Sequence, residues 1–348
     1  MTRRVDLRSD TVTQPTAAMR QAMMAAPLGD DVFADDPTVN LLQERLASQL
    51  GFEQALFFPS GTQSNLAAIL SHCQRGDEYI VGQMAHTYRW EAGGAAVLGS
   101  VQPQPLDQAA NGQMDLAKIE SSIKPDDAHF AMTKLFTLEN TWAGQLLDHE
   151  YVLAATNIAK KHGLQCHLDG ARFFNGAVKQ ASLDSSTVMQ AASKMIGPFD
   201  SVSVCFSKGL GAPVGSVLCA SADVIKKAKR IRKMAGGGMR QAGFLAAAAL
   251  YALDHHVERL QQDHDLATRL YQGLKDIPEL DISPAQTNMI FLTAKNPNDE
   301  KLKGLSQYLT QNGILTTGSY QLRFVTHLDV NQDDIDYVIE KTNAYFLN

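Results

Sequence analysis

"DHEYVLAATNIAKKHGLQCHLDGAR", residues 148–172, holds the alternation on which the fold reading turns. Residues 148–163 read as an amphipathic helix with Gly163 as its C-cap, and residues 164–172 read as the strand that follows. Working outward, the same alternation recurs. "ALFFPSGTQSNLAAILSHC" (55–73) is a short apolar strand, a Pro-Ser-Gly-Thr turn and a helix. "DEYIVG" (77–82) and "AHFAMTKLFTLEN" (128–140) read as further strands. In "SVSVCFSKGLG" (201–211), Val202, Val204 and Phe206 alternate with Ser201, Ser203 and Cys205. That period of two with β-branched residues is a strand, and it runs up to Lys208. "GSVLCAS" (215–221) is the strand after it. Strands alternating with helices predict an α/β fold around a mostly parallel sheet. From about Gln241 the character changes to one or two long helices, then to "TNMIFLTA", "GILTTG" and "LRFVTHLD", a small C-terminal α+β unit. The expected division is 1–252 for the large domain and 253–348 for the small one, with the boundary near residues 245–260.

Composition narrows the class. Of 348 residues, 45% are hydrophobic and 20% charged, as in soluble globular proteins. The net charge of −6 gives no basic field for nucleic acid or an anionic membrane. The basic run "KKAKRIRK" (226–233) reads as a solvated helix face. The four cysteines, 73, 166, 205 and 219, are scattered without a C-x-x-C pair, which argues against a zinc ribbon or a disulfide framework. No stretch approaches the apolar length of a membrane span, and the charged start "MTRRVDLRSD" is not a signal peptide. A cytoplasmic protein is expected.

Four features could bear chemistry. Asp169 in "HLDGAR" falls at the C-terminal end of a strand, the end that faces the ligand crevice in open α/β sheets. It reads as a metal ligand, a general base, a partner for a buried cation, or an N-cap; Arg172 beside it reads as a surface ion-pair partner. Lys208 also ends a strand, either snorkelling at the sheet edge or held in a dry pocket ready to capture a carbonyl. Gly209, Gly211 and Gly215 would let a bulky ligand approach the backbone. "PSGTQSN" aims free amides at an anion, or is an ordinary capped helix start. His86 follows a strand and precedes a helix bearing Glu91; it is a site residue or a structural histidine. "GLGAPVG" is not a dinucleotide fingerprint, because Pro213 intervenes and a strand follows where that motif needs a helix. Phosphate cradle, acid, strand-end lysine and histidine on one sheet are the parts that pyridoxal phosphate needs.

In order along the chain stand "LRSDTVT", "GDDVFADDPTVN", "SGTQSN", "AHTYRWEAGGAA", "LEN", "HLDGAR", "SKGLGAPVGS", "RKMAGGGMRQAG" and "RFVTHLD". With these the sequence resembles the low-specificity L-threonine aldolases, of the β-eliminating lyase group of fold-type-I pyridoxal 5'-phosphate enzymes. The resemblance implies reversible cleavage of L-threonine, L-allo-threonine and other β-hydroxy-α-amino acids to glycine and an aldehyde. It implies that Lys208 binds the cofactor aldehyde, Asp169 the ring nitrogen, and Gly61 and Thr62 the phosphate, while His86 stacks on the ring. Lys233 and Arg240 would reach that site from a neighbouring subunit. Ser9, Arg172 and Arg323 would hold the substrate carboxylate, and His129 would lie near its hydroxyl. A homo-oligomer is implied, a tetramer built as a dimer of dimers with shared active sites; no metal is expected there. Trp142, Phe33 and Ala34 depart from the family pattern, which has histidine, tyrosine and glycine, and the segment between Arg172 and Lys208 is longer than in close relatives.

Overall fold

A computed structural model describes residues 4–296, 300–318 and 321–347. Twelve strands are defined: β1 (Val5–Asp6), β2 (Gln54–Phe58), β3 (Asp77–Gly82), β4 (Gln102–Leu106), β5 (Met132–Glu139), β6 (Gln165–Gly170), β7 (Ser201–Cys205), β8 (Ser216–Ala220), β9 (Leu280–Ile282), β10 (Met289–Ala294), β11 (Ile314–Leu315) and β12 (Gln321–Val325). Seven form the central sheet in the order β2-β8-β7-β6-β5-β3-β4. All its pairs are parallel except those that β8 makes with β2 and β7. β7 and β8 are buried along their whole length, as strands of a sheet covered on both faces must be.

The helices begin where side chains can take their orphan amides. Asp148 caps His149–Lys161, Ser60 caps Gly61–His72, and Thr187 with Gln190 closes a capping box on Val188–Ile196. The long segment after Arg172 is thus two helices, Phe173–Asp184 and Val188–Ile196.

The C-terminal unit contains a three-stranded antiparallel sheet, β12-β10-β9. Its other strand pair is β1 with β11, parallel, so the first described residues join the last part of the chain. Val5 and Leu7 accordingly pack with Leu270, Ile290 and Phe324 in the second hydrophobic core. The expected division placed the N-terminal segment with the large domain; by packing, Val5–Leu7 go with the small one. Val257 and Leu260 still belong to the first core and Leu270 to the second. Core membership therefore changes along the helix Leu260–Leu274, later than the expected boundary. No helix among the described residues is long and apolar enough to cross a membrane.

Candidate active site

The C-terminal ends of the parallel strands gather the chemistry. Glu139 ends β5 directly beside Asp169 on β6, and Asp169 lies beside Ser203 on β7. His86 opens a short helix after β3. Lys208 comes three residues after β7, where Gly211 donates its amide to the Lys208 carbonyl at 2.8 Å and turns the chain at φ +75°.

Lys208 is half-buried, and its ammonium makes no hydrogen bond or ion pair among the described residues. Its charge is felt by Asp10, His86, Glu139 and Cys205. Asp169 is buried and accepts from the Ala171 amide (3.0 Å) and from Asn65 Nδ2 (3.0 Å). It caps a turn as well as facing the site. His86 donates its backbone N–H to Glu139 (2.8 Å) and pairs through Nδ1 with Glu91 Oε1 (2.9 Å). The Glu91 hydrogen bond raises the pKa of His86, while burial raises that of Glu91. Burial and then the charge of Asp169 push Glu139 up to about 7. One donor atom each from His86, Glu91 and Asp169 lie within 4.8 Å of one another, the spacing of a cation site. Hydrogen bonds within the cluster and to Asn65 account for that closeness.

A second cluster carries the positive charge. Arg172 donates Nε (2.8 Å) and Nη2 (2.6 Å) to buried Asp10, so its pair is not a surface one with Asp169 but a part-buried, bidentate one with Asp10. Burial alone would raise the Asp10 pKa; the Arg172 charge and hydrogen bonds outweigh it and bring it down to about 2. Arg323 on β12 donates Nη2 to the Arg8 carbonyl (2.9 Å), and its buried Nε has no partner. Burial and then the neighbouring Arg172 lower its pKa. Two guanidiniums and one carboxylate leave one positive charge. Ser9 stands at the rim, its Oγ accepting the Thr11 amide.

At the start of the helix Gly61–His72, Ser60 Oγ takes the Gln63 amide and leaves those of Gly61 and Thr62 open to an anion. A Cβ on Gly61 would lie 2.6 Å from Cys205 Sγ. Gln63 donates to the Ala235 carbonyl (2.9 Å), so the loop of "RKMAGGGMRQAG" lies against this chain's own helix start. Lys233 lines an open groove of about 380 Å³ with Val32, Lys229, Arg230 and Gly238. Arg240 is exposed and ion-paired with Asp30 at 3.1 Å.

Two further expectations change. His129 does not join the site within one chain. It precedes β5, at the far end of that strand from Glu139, with its side chain 88% exposed and paired with Asp127. The eight residues of β5 alone hold its two ends roughly 23 Å apart. Gly209 and Gly215 face Leu260 and Phe57, so their missing side chains make room for the protein, not for a ligand. Phe33 is 72% exposed, and Trp142 donates its indole N–H to the Met84 carbonyl (3.4 Å), two residues before His86. Asp10, Asn65, Glu91, Glu139 and Asn288 (Nδ2 3.3 Å from Asp10) were not singled out as site residues. Four of them lay inside quoted motifs, "LRSDTVT", "SGTQSN", "AHTYRWEAGGAA" and "LEN", without a spacing that marks their partners.

Sheet order, strand-end acid and lysine define the fold-type-I α/β scaffold. A family profile described as Beta-eliminating lyase matches residues 6–297. The low specificity L-threonine aldolase of Escherichia coli K12 is 50% identical over 98% of this chain and 99% of its own length. Low-specificity L-threonine aldolase 1 of Arabidopsis thaliana is 42% identical over 97% and 95%. Among solved structures, the Leishmania major threonine aldolase superposes with a TM-score of 0.81 at 19% identity, covering 98% of this chain and 99% of that one. Serine palmitoyltransferase of Sphingomonas wittichii shares the fold at a TM-score of 0.76 and 18% identity, over 98% and 87%. The chain belongs to the β-eliminating lyase family, in the branch of the low-specificity L-threonine aldolases.

Proposed function

We propose that this chain is an aldehyde-lyase that cleaves L-threonine, L-allo-threonine and related β-hydroxy-α-amino acids reversibly to glycine and an aldehyde, with pyridoxal 5'-phosphate as cofactor. The reading rests on one observation above all: an unpartnered amine, Lys208, lies close enough to Asp10, the partner of Arg172, and to His86 and Glu139, the neighbours of the strand-end acid Asp169, for each to feel its charge.

The residues fit the cofactor. Lys208 offers a free amine to its aldehyde, the amides of Gly61 and Thr62 suit its phosphate, and Asp169 suits a ring N–H. Bound there, the cofactor supplies a protonated ring that takes up the electron pair of the broken Cα–Cβ bond. The chain does the rest. Arg323, with its free Nε, and Arg172, through the Nη1 that Asp10 leaves open, clamp the substrate carboxylate and so set the rotation of the scissile bond. With Nδ1 held by Glu91, His86 presents Nε2 as the atom that takes the β-hydroxyl proton.

The same reading includes a homo-oligomer with shared sites, in which Lys233 and Arg240 serve a partner's phosphate. In its support, Phe33 and Met234, 72% and 78% exposed, adjoin Val32 and Lys233 of the basic groove. The primary test is product analysis with L-threonine and L-allo-threonine. Glycine with acetaldehyde is expected; a 2-oxo acid with ammonia would make the chain a β-eliminating lyase instead.

A further inference from the structure

Behind Asp169 runs a string of buried polar side chains that the reaction proposed above does not use. Asn65 Nδ2 is 3.0 Å from both Asp169 Oδ2 and Glu91 Oε1. Ionised carboxylates only accept, so the amide nitrogen of Asn65 must face them and its Oδ1 must point the other way. There it meets His167 Nε2 at 3.2 Å, which has to carry the hydrogen. Burial drives the His167 pKa down to about 3, so the ring is neutral and Nδ1 is bare. Nδ1 then accepts from Ser201 Oγ at 2.8 Å. With its one hydrogen committed, Ser201 accepts from His72 Nε2 at 2.8 Å, and burial keeps His72 neutral too, near 4. Every donor points one way: His72 to Ser201 to His167 to Asn65 to Asp169.

The fold builds this string deliberately. His167 and Asp169 are two apart on β6 and share a face; Ser201 is the partner of His167 on β7. Asn65 and His72 are two turns apart on the helix Gly61–His72. Asn65, His167 and Ser201 are all buried.

We propose that Asn65, His167, Ser201 and His72 are positioning residues that hold the Asp169 carboxylate in one rotamer, toward the ring nitrogen of the cofactor. The proposal rests on the cofactor reading given above. Aligned donors polarise one another in a dry interior, which favours the charged form at the accepting end.

Two measurements test it. In protein labelled with ¹⁵N-histidine and free of cofactor, His72 and His167 should both be neutral with the hydrogen on Nε2. A hydrogen on His167 Nδ1, or a charged ring, overturns the direction of the string and with it the proposal. In the protein loaded with pyridoxal phosphate, Ser201→Ala removes a single hydroxyl three hydrogen bonds from Asp169. Its kcat should fall about fivefold, which RT converts to about 1 kcal/mol, with KM within about twofold of the parent. With a cofactor analogue carrying carbon in place of the ring nitrogen, Ser201→Ala and the parent should be equally active. An unchanged kcat, or the same loss with the analogue, would leave the string a purely structural network. If the parent takes up no pyridoxal phosphate, as read from its absorption, the cofactor reading itself falls and takes this proposal with it.

Discussion

Asp169 and Glu139 sit side by side at the ends of adjacent strands, and the site treats them differently. Among the described residues Asp169 takes two N–H donors, whereas Glu139 takes only the His86 amide and is pushed up to about 7 by burial and by Asp169. Asp169→Asn would keep the size and lose the charge that holds a ring proton. A fall in kcat of about 10²-fold, roughly 2.7 kcal/mol, is expected by steady-state kinetics, and a variant within a few-fold of the parent would refute the role. Glu139 gives a pH prediction. A carboxyl whose pKa is higher folded than unfolded binds extra protons in the fold between the two values. Stability therefore declines as pH climbs from about 4.5 toward 7. Glu139→Gln, which can still accept from His86, should remove that decline. Denaturant midpoints of the cofactor-free proteins at pH 5 and pH 8 should show the variant gaining on the parent by on the order of 1–2 kcal/mol. Parallel pH curves would contradict this. Asp169, Lys208 and His86 were legible in the sequence because each follows a readable strand. Asp10 was not, since its partner Arg172 is 162 positions away and only the fold brings them together.

Among the elements, the strands of the sheet interior were the most legible, because burial on both faces writes them as apolar runs. β4 was missed: its sequence, QPQPL, contains two prolines that a central strand would not tolerate. It can hold them because it is the edge strand, paired only with β3. The start of the helix Gly61–His72 shows how closely elements fit at the site. Gly61 has no room for a methyl group because Cys205 Sγ, at the end of β7, occupies that place. Gly61→Ala should push helix and strand apart, weaken uptake of pyridoxal phosphate and lower the melting temperature. Adding Cys205→Ala removes the obstructing sulfur and should restore part of both. Binding titrations and melts on the two single variants and the double complete the cycle, and additive losses would place the strain elsewhere.

For the whole molecule, the open question the geometry poses is who uses the basic loop. It lies against its own chain's helix start, yet Arg240 points to Asp30 and stays exposed. Symmetric assembly would give two equivalent sites across a two-fold axis. Lys208→Ala and Arg240→Ala chains, each inactive alone, should regain part of the activity when mixed and allowed to exchange subunits. Absence of recovery despite demonstrated exchange would mean that Arg240 serves its own chain. The two-unit architecture was visible as a change of texture near Gln241. The joining of Val5–Leu7 to the C-terminal unit was not, since two residues of β1 carry no periodicity of their own.

That union has a consequence in time. Arg8 offers its carbonyl to Arg323, 315 positions away, and Leu7 accepts the amide of Val325. During synthesis the stretch Val5–Arg8 leaves the ribosome well before the segment that contains β11 and β12 and then waits for it. At about 5–20 residues per second that wait lasts roughly 15–60 s. Until it ends, the arginine proposed to grip the substrate has no anchor, while the sheet bearing Lys208 and Asp169 has already been made. The nascent chain thus gains the lysine proposed to bind the cofactor early and the proposed grip on the substrate late.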